Sequence, residues 1–239
     1  MSVTWSVVLS IILMVILLEK QEHKNLLREM LPSKALKKLE RGGIVVEQYK
    51  TLTIFFSDIV GYTSMVAEMS PIDVMKMLNS FYTEVDKLAD KHKVYKIKTI
   101  GDAYLAVGGL SCPDKCSVSE GALRVALFAL DLMELVKSFR TEDGSEIVIR
   151  AGIHSGPVVA GVIERKRPQY TIFGDAVNIA SCMESSSQAM KIQCSDATYH
   201  LLQQAPKYNV YLKERGHVEV KDKVLLHTWF IEGARRDIE

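Results

Sequence analysis

The stretch Phe55-Phe56-Ser57-Asp58-Ile59-Val60-Gly61-Tyr62-Thr63 decides the reading of this chain, together with its look-alike Lys98-Thr99-Ile100-Gly101-Asp102-Ala103-Tyr104. In each, an aspartate adjoins an apolar, strand-like run and stands near a glycine where the backbone must bend tightly. A carboxylate at a strand end beside a glycine turn is exposed enough to hold a hard cation. Two of them, Asp58 and Asp102, have the chemistry to hold a pair of Mg²⁺ or Mn²⁺ ions against a triphosphate. The pattern implies phosphoryl chemistry on a nucleotide.

Outward from these motifs, Thr51 to Ser57 reads as a buried strand through Leu52, Ile54, Phe55 and Phe56. Pro71 to Lys91 carries Ile72, Val74, Met75, Leu78, Phe81, Tyr82, Val85 and Leu88 at helical spacing. Val94 to Val107 reads as strand, Gly-Asp turn and strand, hence a hairpin. A second round follows: a striped helix over Ser119 to Phe139, strands over Glu146 to His154 and Pro157 to Ile163, and a helix over Gly174 to Ser186. Short strands and one helix near Ala197–Gln203 complete it. Helices alternate with hairpins and not with single strands, which predicts an α+β sheet with helices on one face.

The chain has 239 residues, 48% of them hydrophobic, so it has room for one large domain plus an appendage and for a substantial core. A formal charge of +1 gives no sign of nucleic-acid binding. Cys112, Cys116, Cys182 and Cys194 lack zinc-ligand spacing and read as free cytosolic thiols.

The N-terminus differs from the rest. Val3 to Leu18 holds only Thr4, Trp5, Ser6 and Ser10 among aliphatic residues, and Glu19 to Lys24 then turns polar. Residues 1–18 therefore predict a transmembrane helix. No basic residue precedes the run and no small-residue cleavage site follows it, which argues against a secretory signal peptide. Lys20, Lys24 and Arg28 just after the span put the remainder in the cytosol. Residues 19–43 predict a helical connector able to align two copies of the chain. It has a stripe of Leu26, Leu27, Met30 and Leu31, then a helix from Ser33 to Arg41 opened by Pro32 and ended by Gly42-Gly43.

Four ordered blocks carry a family resemblance: FFSDIVGYT (55–63), KIKTIGDAYLAVGGL (96–110), RAGIHSGPVVAGV (150–162) and QYTIFGDAVNIASCMES (169–185). With them, residues 44–233 resemble the catalytic domain of class III nucleotidyl cyclases. The resemblance implies a ferredoxin-like α+β core, a head-to-tail homodimer with active sites at its interface, and cyclisation of ATP or GTP to a 3′,5′-cyclic monophosphate with release of pyrophosphate. It implies two divalent cations, Mg²⁺ or Mn²⁺, on Asp58, Asp102 and the carbonyl of Ile59. Gly61, Tyr62 and Thr63 open the following helix, whose free N–H groups favour phosphate oxygens. Asn178 matches the asparagine that positions ribose and reacting phosphate, and Lys221 matches the lysine that meets the terminal phosphates.

Lys98 and Thr171 fall where the family reads the purine. Adenine presents an acceptor at N1 and a donor at its 6-amino group, and a lysine that donates with a threonine that accepts suits it. Guanine presents donors at N1 and its 2-amino group, so Lys98 would leave polar groups unpaired at about 1–3 kcal/mol each. Guanylyl members typically carry glutamate and cysteine at these places. The pair predicts ATP as substrate. On strand alternation alone Lys96 and Lys98 share one face, and Lys98 is then an ordinary solvated residue.

Two departures stand out. Cys182 occupies the place of an arginine that stabilises charge on the transferring phosphoryl group, and a neutral thiol cannot do so. Arg165, Lys166 or Arg167 are the neighbouring bases able to substitute. Glu164 stands where the family has glycine after the strand. These leave two alternatives to an adenylyl cyclase: a guanylyl cyclase, or a cyclase-like dimerisation module with little turnover. No sensor domain lies within the chain, so an upstream receptor or partner is expected to supply the signal, with the protein membrane-anchored and its catalytic part cytosolic.

Overall fold

The computed structural model describes residues 2–110, 117–141, 144–163, 168–205, 208–220 and 224–236. The chain begins with α1 (Ser2–Met30), α2 (Ser33–Glu40), β1 (Val46–Ile59), α3 (Tyr62–Ala67) and α4 (Pro71–His92). It continues through β2 (Tyr95–Ile100), β3 (Ala103–Gly108), α5 (Val118–Ser138), β4 (Ile149–Ile163) and β5 (Gln169–Phe173). It ends with α6 (Asp175–Ser185), β6 (Ile192–Ser195), α7 (Asp196–Gln203), β7 (Tyr208–Val220) and β8 (Val224–Arg236). Two compact units result: Met1–Glu47 with Ala160–Thr171, and Gln48–Val159 with Ile172–Glu239.

In the first unit α2 ends at the predicted place, with Arg41 as its C-cap before Gly42-Gly43. Leu31, Ala35, Leu36 and Val45 are buried there, and the Val162 N–H donates to the Val45 carbonyl at 3.1 Å. The predicted transmembrane helix is corrected. The segment is helical, but among the described residues no helix is long and apolar enough to cross a membrane. The predicted span of 18 residues corresponds to about 27 Å of helix at about 1.5 Å per residue, short of the hydrocarbon thickness of about 30 Å. It then runs without a break into Glu19, Lys20 and Glu22.

The sheet has the order β2-β3-β1-β4-β6-β8-β7, with β5 off this path pairing β4, and most of its residues belong to the second unit. β4 and β6 run parallel, whereas β1–β3, β2–β3, β6–β8 and β7–β8 are antiparallel. The succession β1-α4-β2-β3-α5-β4 is the split βαβ arrangement expected of the α+β reading. α4 starts where Ser70 accepts the Asp73 N–H at 3.2 Å with Pro71 in the first turn, and α5 starts where Ser117 accepts from Glu120 at 3.1 Å. Their buried stripes, Met77, Phe81, Val85 and Ala89 on α4 and Val125, Ala129, Leu132 and Val136 on α5, pack with Phe55, Tyr104, Ala106, Ile149 and Ile153 of the sheet. Phe55 and Phe128 meet edge-on at 5.1 Å between ring centres.

Three features differ from the sequence expectation. α6 lies on the opposite sheet face from α4 and α5: Gly152 alternates with the core residues Ala151 and Ile153, and a Cβ there would stand 2.0 Å from the Glu184 nitrogen. Only a glycine lets the helix backbone come that close. β4 is one continuous strand and not two, because its ladder to β6 covers Ala151–Ile153 and Pro157, which lacks an N–H, lies beyond it. β7 and β8 form one long hairpin whose polar edge-strand sequence hides its length.

Replacing Phe128 with alanine is expected to lower unfolding stability by about 3–5 kcal/mol, read from the denaturation midpoint at unchanged slope. A loss under about 1 kcal/mol contradicts this assignment of the core.

Candidate active site

The two aspartates are brought together by one pairing. β1 and β3 are neighbours with Ser57 opposite Tyr104, so the same register sets Asp102 beside Ile59 and next to Asp58. Gly61 (φ 74°) and Gly101 (φ 64°) occupy the left-handed region that lets the chain turn away directly beside each carboxylate. The Asp102 carboxyl is pushed up from its ordinary range to about 6. Partial burial is the largest cause; a hydrogen bond with Asp58 and its negative charge add to it, and backbone hydrogen bonds at Asp102 itself and Ile59 oppose it. Two carboxyls that share a proton in this way are a fitting donor pair for divalent cations, which would take the proton's place. Gly61 caps α3, whose first turn has no side-chain cap, so Tyr62 and Thr63 begin a six-residue helix as expected.

Three further residues at this site were not foreseen. Arg150 on β4 donates from Nη2 to Asp58 Oδ2 at 3.2 Å and from Nε to Glu184 Oε1 at 2.6 Å. Glu184 is 7% exposed, and burial pushes its carboxyl above the usual range against the pull of Arg150. One guanidinium is thus shared by two carboxylates, and Asp58, one of the two, also hydrogen bonds with Asp102. Tyr82 on α4 donates its hydroxyl to the Gly101 carbonyl at 3.4 Å, bracing the turn before Asp102. Burial, with Asp102 and Asp58 nearby, raises the Tyr82 phenol well above its ordinary value, so it stays a donor. Arg150 opens the third quoted block and Glu184 is the last residue but one of the fourth, but their separation in sequence leaves no local signal that they meet.

Lys98 is exposed on β2. It does not share a face with Lys96, since Lys96 is opposite Ala106 and Lys98 is opposite the next residue, Leu105. The expectation from simple alternation is therefore corrected: the bulge at Ile97 switches the side.

Residues 44–233 match the family described as the adenylate and guanylate cyclase catalytic domain. The chain belongs to this family. It is 42% identical to atrial natriuretic peptide receptor 2 of Anguilla japonica over 92% of this chain and 21% of that receptor, so it spans about a fifth of the length of that relative. The guanylate cyclase domain of RhGC from Catenaria anguillulae, in complex with GTP, superposes with a TM-score of 0.72 at 39% identity, covering 79% of this chain and 100% of that one. The catalytic core of a rhodopsin-guanylyl cyclase with converted specificity, in complex with ATPαS, gives 0.71 at 40% identity over 78% and 97%.

Within this cyclase domain, Asn178 is exposed and Cys182 half-buried one turn later, on the side of α6 away from its buried Ala176, Ala180 and Met183. They share one face as the spacing predicts. Thr171 lies in the other unit, 8% exposed in the middle of β5. Lys221, Glu164, Arg165, Lys166 and Arg167 lie outside the described residues, as do Cys112 and Cys116. Cys182 and Cys194 are free thiols. No group of three or more His, Cys, Asp or Glu side chains suited to a metal occurs among the described residues. Magnesium held against a nucleotide takes one or two carboxylates, the remainder being water and phosphate.

The raised Asp102 value fixes a pH dependence. The folded state holds a proton that the unfolded chain has released between about pH 4 and pH 6, so stability falls as pH rises through that window. Asp102→Asn removes this penalty. At pH 8 without metal it should raise Tm by about 2–4 °C, the shift that about 1 kcal/mol gives once solvent screening is discounted, and the gain should vanish below about pH 4. Added Mn²⁺ should raise Tm of the native chain and leave the variant unmoved. An unchanged or lowered Tm at pH 8 contradicts the shared-proton pair.

Proposed function

We propose that this chain is an adenylyl cyclase, converting ATP to 3′,5′-cyclic AMP and pyrophosphate as a homodimer. The observation that carries the reading is that Lys98, a side chain that only donates hydrogen bonds, is exposed on β2, and the sequence resemblance implies purine reading at this position. It suits adenine N1 and opposes the guanine N1 donor, while the Thr171 hydroxyl can accept from the 6-amino group. That a related catalytic core with converted specificity holds ATPαS at 40% identity supports an adenine nucleotide on this scaffold.

Asp58, Asp102 and the Ile59 carbonyl would hold Mg²⁺ or Mn²⁺, which supplies charge neutralisation on the polyphosphate and acidifies the ribose 3′-hydroxyl. Arg150 keeps Asp58 oriented and is itself held by Glu184. The amides of Gly61, Tyr62 and Thr63 meet phosphate oxygens, and Lys221 meets the terminal phosphates. Asn178 orients ribose and reacting phosphate without adding charge. Cys182 leaves the charge that builds on the transferring phosphoryl group without its cation, a lack that commonly costs about 10²–10³ in rate. Control by an upstream sensor, and association with a membrane through a part outside this domain, belong to the same proposal.

A second reading, GTP as substrate, is favoured by the 39% identity with the GTP-bound guanylate cyclase domain. Purified chain supplied separately with ATP and GTP, each in Mg²⁺ and in Mn²⁺, separates the two. Cyclic AMP is expected to form far faster than cyclic GMP, and comparable or reversed rates contradict the ATP assignment. Cys182→Arg is expected to raise turnover by about 10²–10³. Absence of product in both forms speaks for a dimerisation module without catalysis.

A further inference from the structure

An unbroken strand sets residues two apart on one face, and β2 breaks that rule between its two lysines. Lys96 is opposite Ala106 and Lys98 opposite Leu105, leaving Ile97 as the extra residue of a β-bulge. Tyr104 and Ala106 belong to the core face under α4 and α5, so Lys96 is on that face and Lys98 on the other. In the neighbouring ladder Phe56 is opposite Leu105. Lys98 therefore shares its face with Phe56 and, by alternation, with Asp58.

The bulge is flanked by an anchor. Lys96 Nζ lies 2.7 Å from Asp86 Oδ2 and 5.2 Å from the centre of the Tyr104 ring. The Tyr104 hydroxyl, on a side chain only 1% exposed, donates to the other Asp86 oxygen at 2.8 Å. One carboxylate of α4 thus ties down both strands of the hairpin, at positions on the core face either side of the bulge. A one-residue slip of a strand moves its side chains to the other face, so whatever holds Lys96 against the helix also decides which side Lys98 serves.

We propose that the Lys96–Asp86–Tyr104 anchor holds the Ile97 bulge in register and thereby presents Lys98 to the purine, making Asp86 and Lys96 positioning residues for base selectivity. This rests on the ATP reading above. Neither residue touches nucleotide; each acts through the register of β2.

Equilibrium binding to the full chain in Mn²⁺ tests it, with α,β-methylene analogues of ATP and GTP and with tripolyphosphate as a probe that has no base. The native chain should prefer the ATP analogue. Lys96→Gln and Asp86→Asn should each lower the ATP:GTP affinity ratio by about tenfold, equivalent to about 1.4 kcal/mol, with tripolyphosphate affinity unchanged. Lys96→Arg, which can keep the pair with Asp86, should retain the ratio. A native ratio near one removes the ATP reading and this inference with it. A native chain that prefers ATP, with the ratio intact in the Gln and Asn variants, overturns the anchor alone. A parallel fall in tripolyphosphate affinity marks a merely structural role and overturns it as well.

Discussion

Asp58 and Asp102 stand close enough to share a proton, and the rest of the site follows from that enforced nearness. Two carboxylates do not approach each other without compensation, so the fold must hold them there. It does so with the pairing of β1 to β3, two glycine turns, and a guanidinium from β4 that grips one carboxylate. The resulting excess of negative charge is a cost to the chain and, under the proposed function, an asset toward a cation, a bargain between stability and function.

The core fixes this geometry from beneath. Phe55, two strand positions before Ser57, is fully buried against Phe128, and Tyr104, two positions after Asp102, is buried with its hydroxyl on Asp86. Each aspartate-bearing tip is thus a short extension of a packed strand. Across the sheet, buried hydroxyls link its strands to α7: Thr53 to Ser155 at 2.9 Å and Ser155 to Thr198 at 3.0 Å, with His154 on Ser195 at 2.7 Å. Burial lowers His154 to about 4, so this network stays uncharged at neutral pH.

The aspartates, the hairpin between them and the α4 and α5 stripes were legible because each is a local pattern: a glycine turn after an apolar run, or apolar residues at helical spacing. Arg150, Glu184 and Tyr82 were not, since their importance comes from contacts between distant segments. The two lysines of β2 show a sharper limit. A single extra residue reverses strand parity, and nothing in Lys-Ile-Lys announces it. The same kind of ambiguity misled the N-terminus, where an apolar run just short of a membrane's thickness resembles a span, and β4, which reads in sequence as two strands, the second starting at Pro157, and is one. The family is legible in the four ordered motifs, and so is Cys182 at the place where that resemblance implies an arginine.

The most direct measurement is anomalous diffraction at the manganese edge from crystals of the chain grown with Mn²⁺ and an unreactive ATP analogue. Manganese peaks in direct contact with carboxylate oxygens of both Asp58 and Asp102 are expected, with Arg150 turned toward Glu184. Peaks confined to the phosphates, with Asp58 still occupied by Arg150 and Asp102 bare, would contradict the paired-carboxylate site.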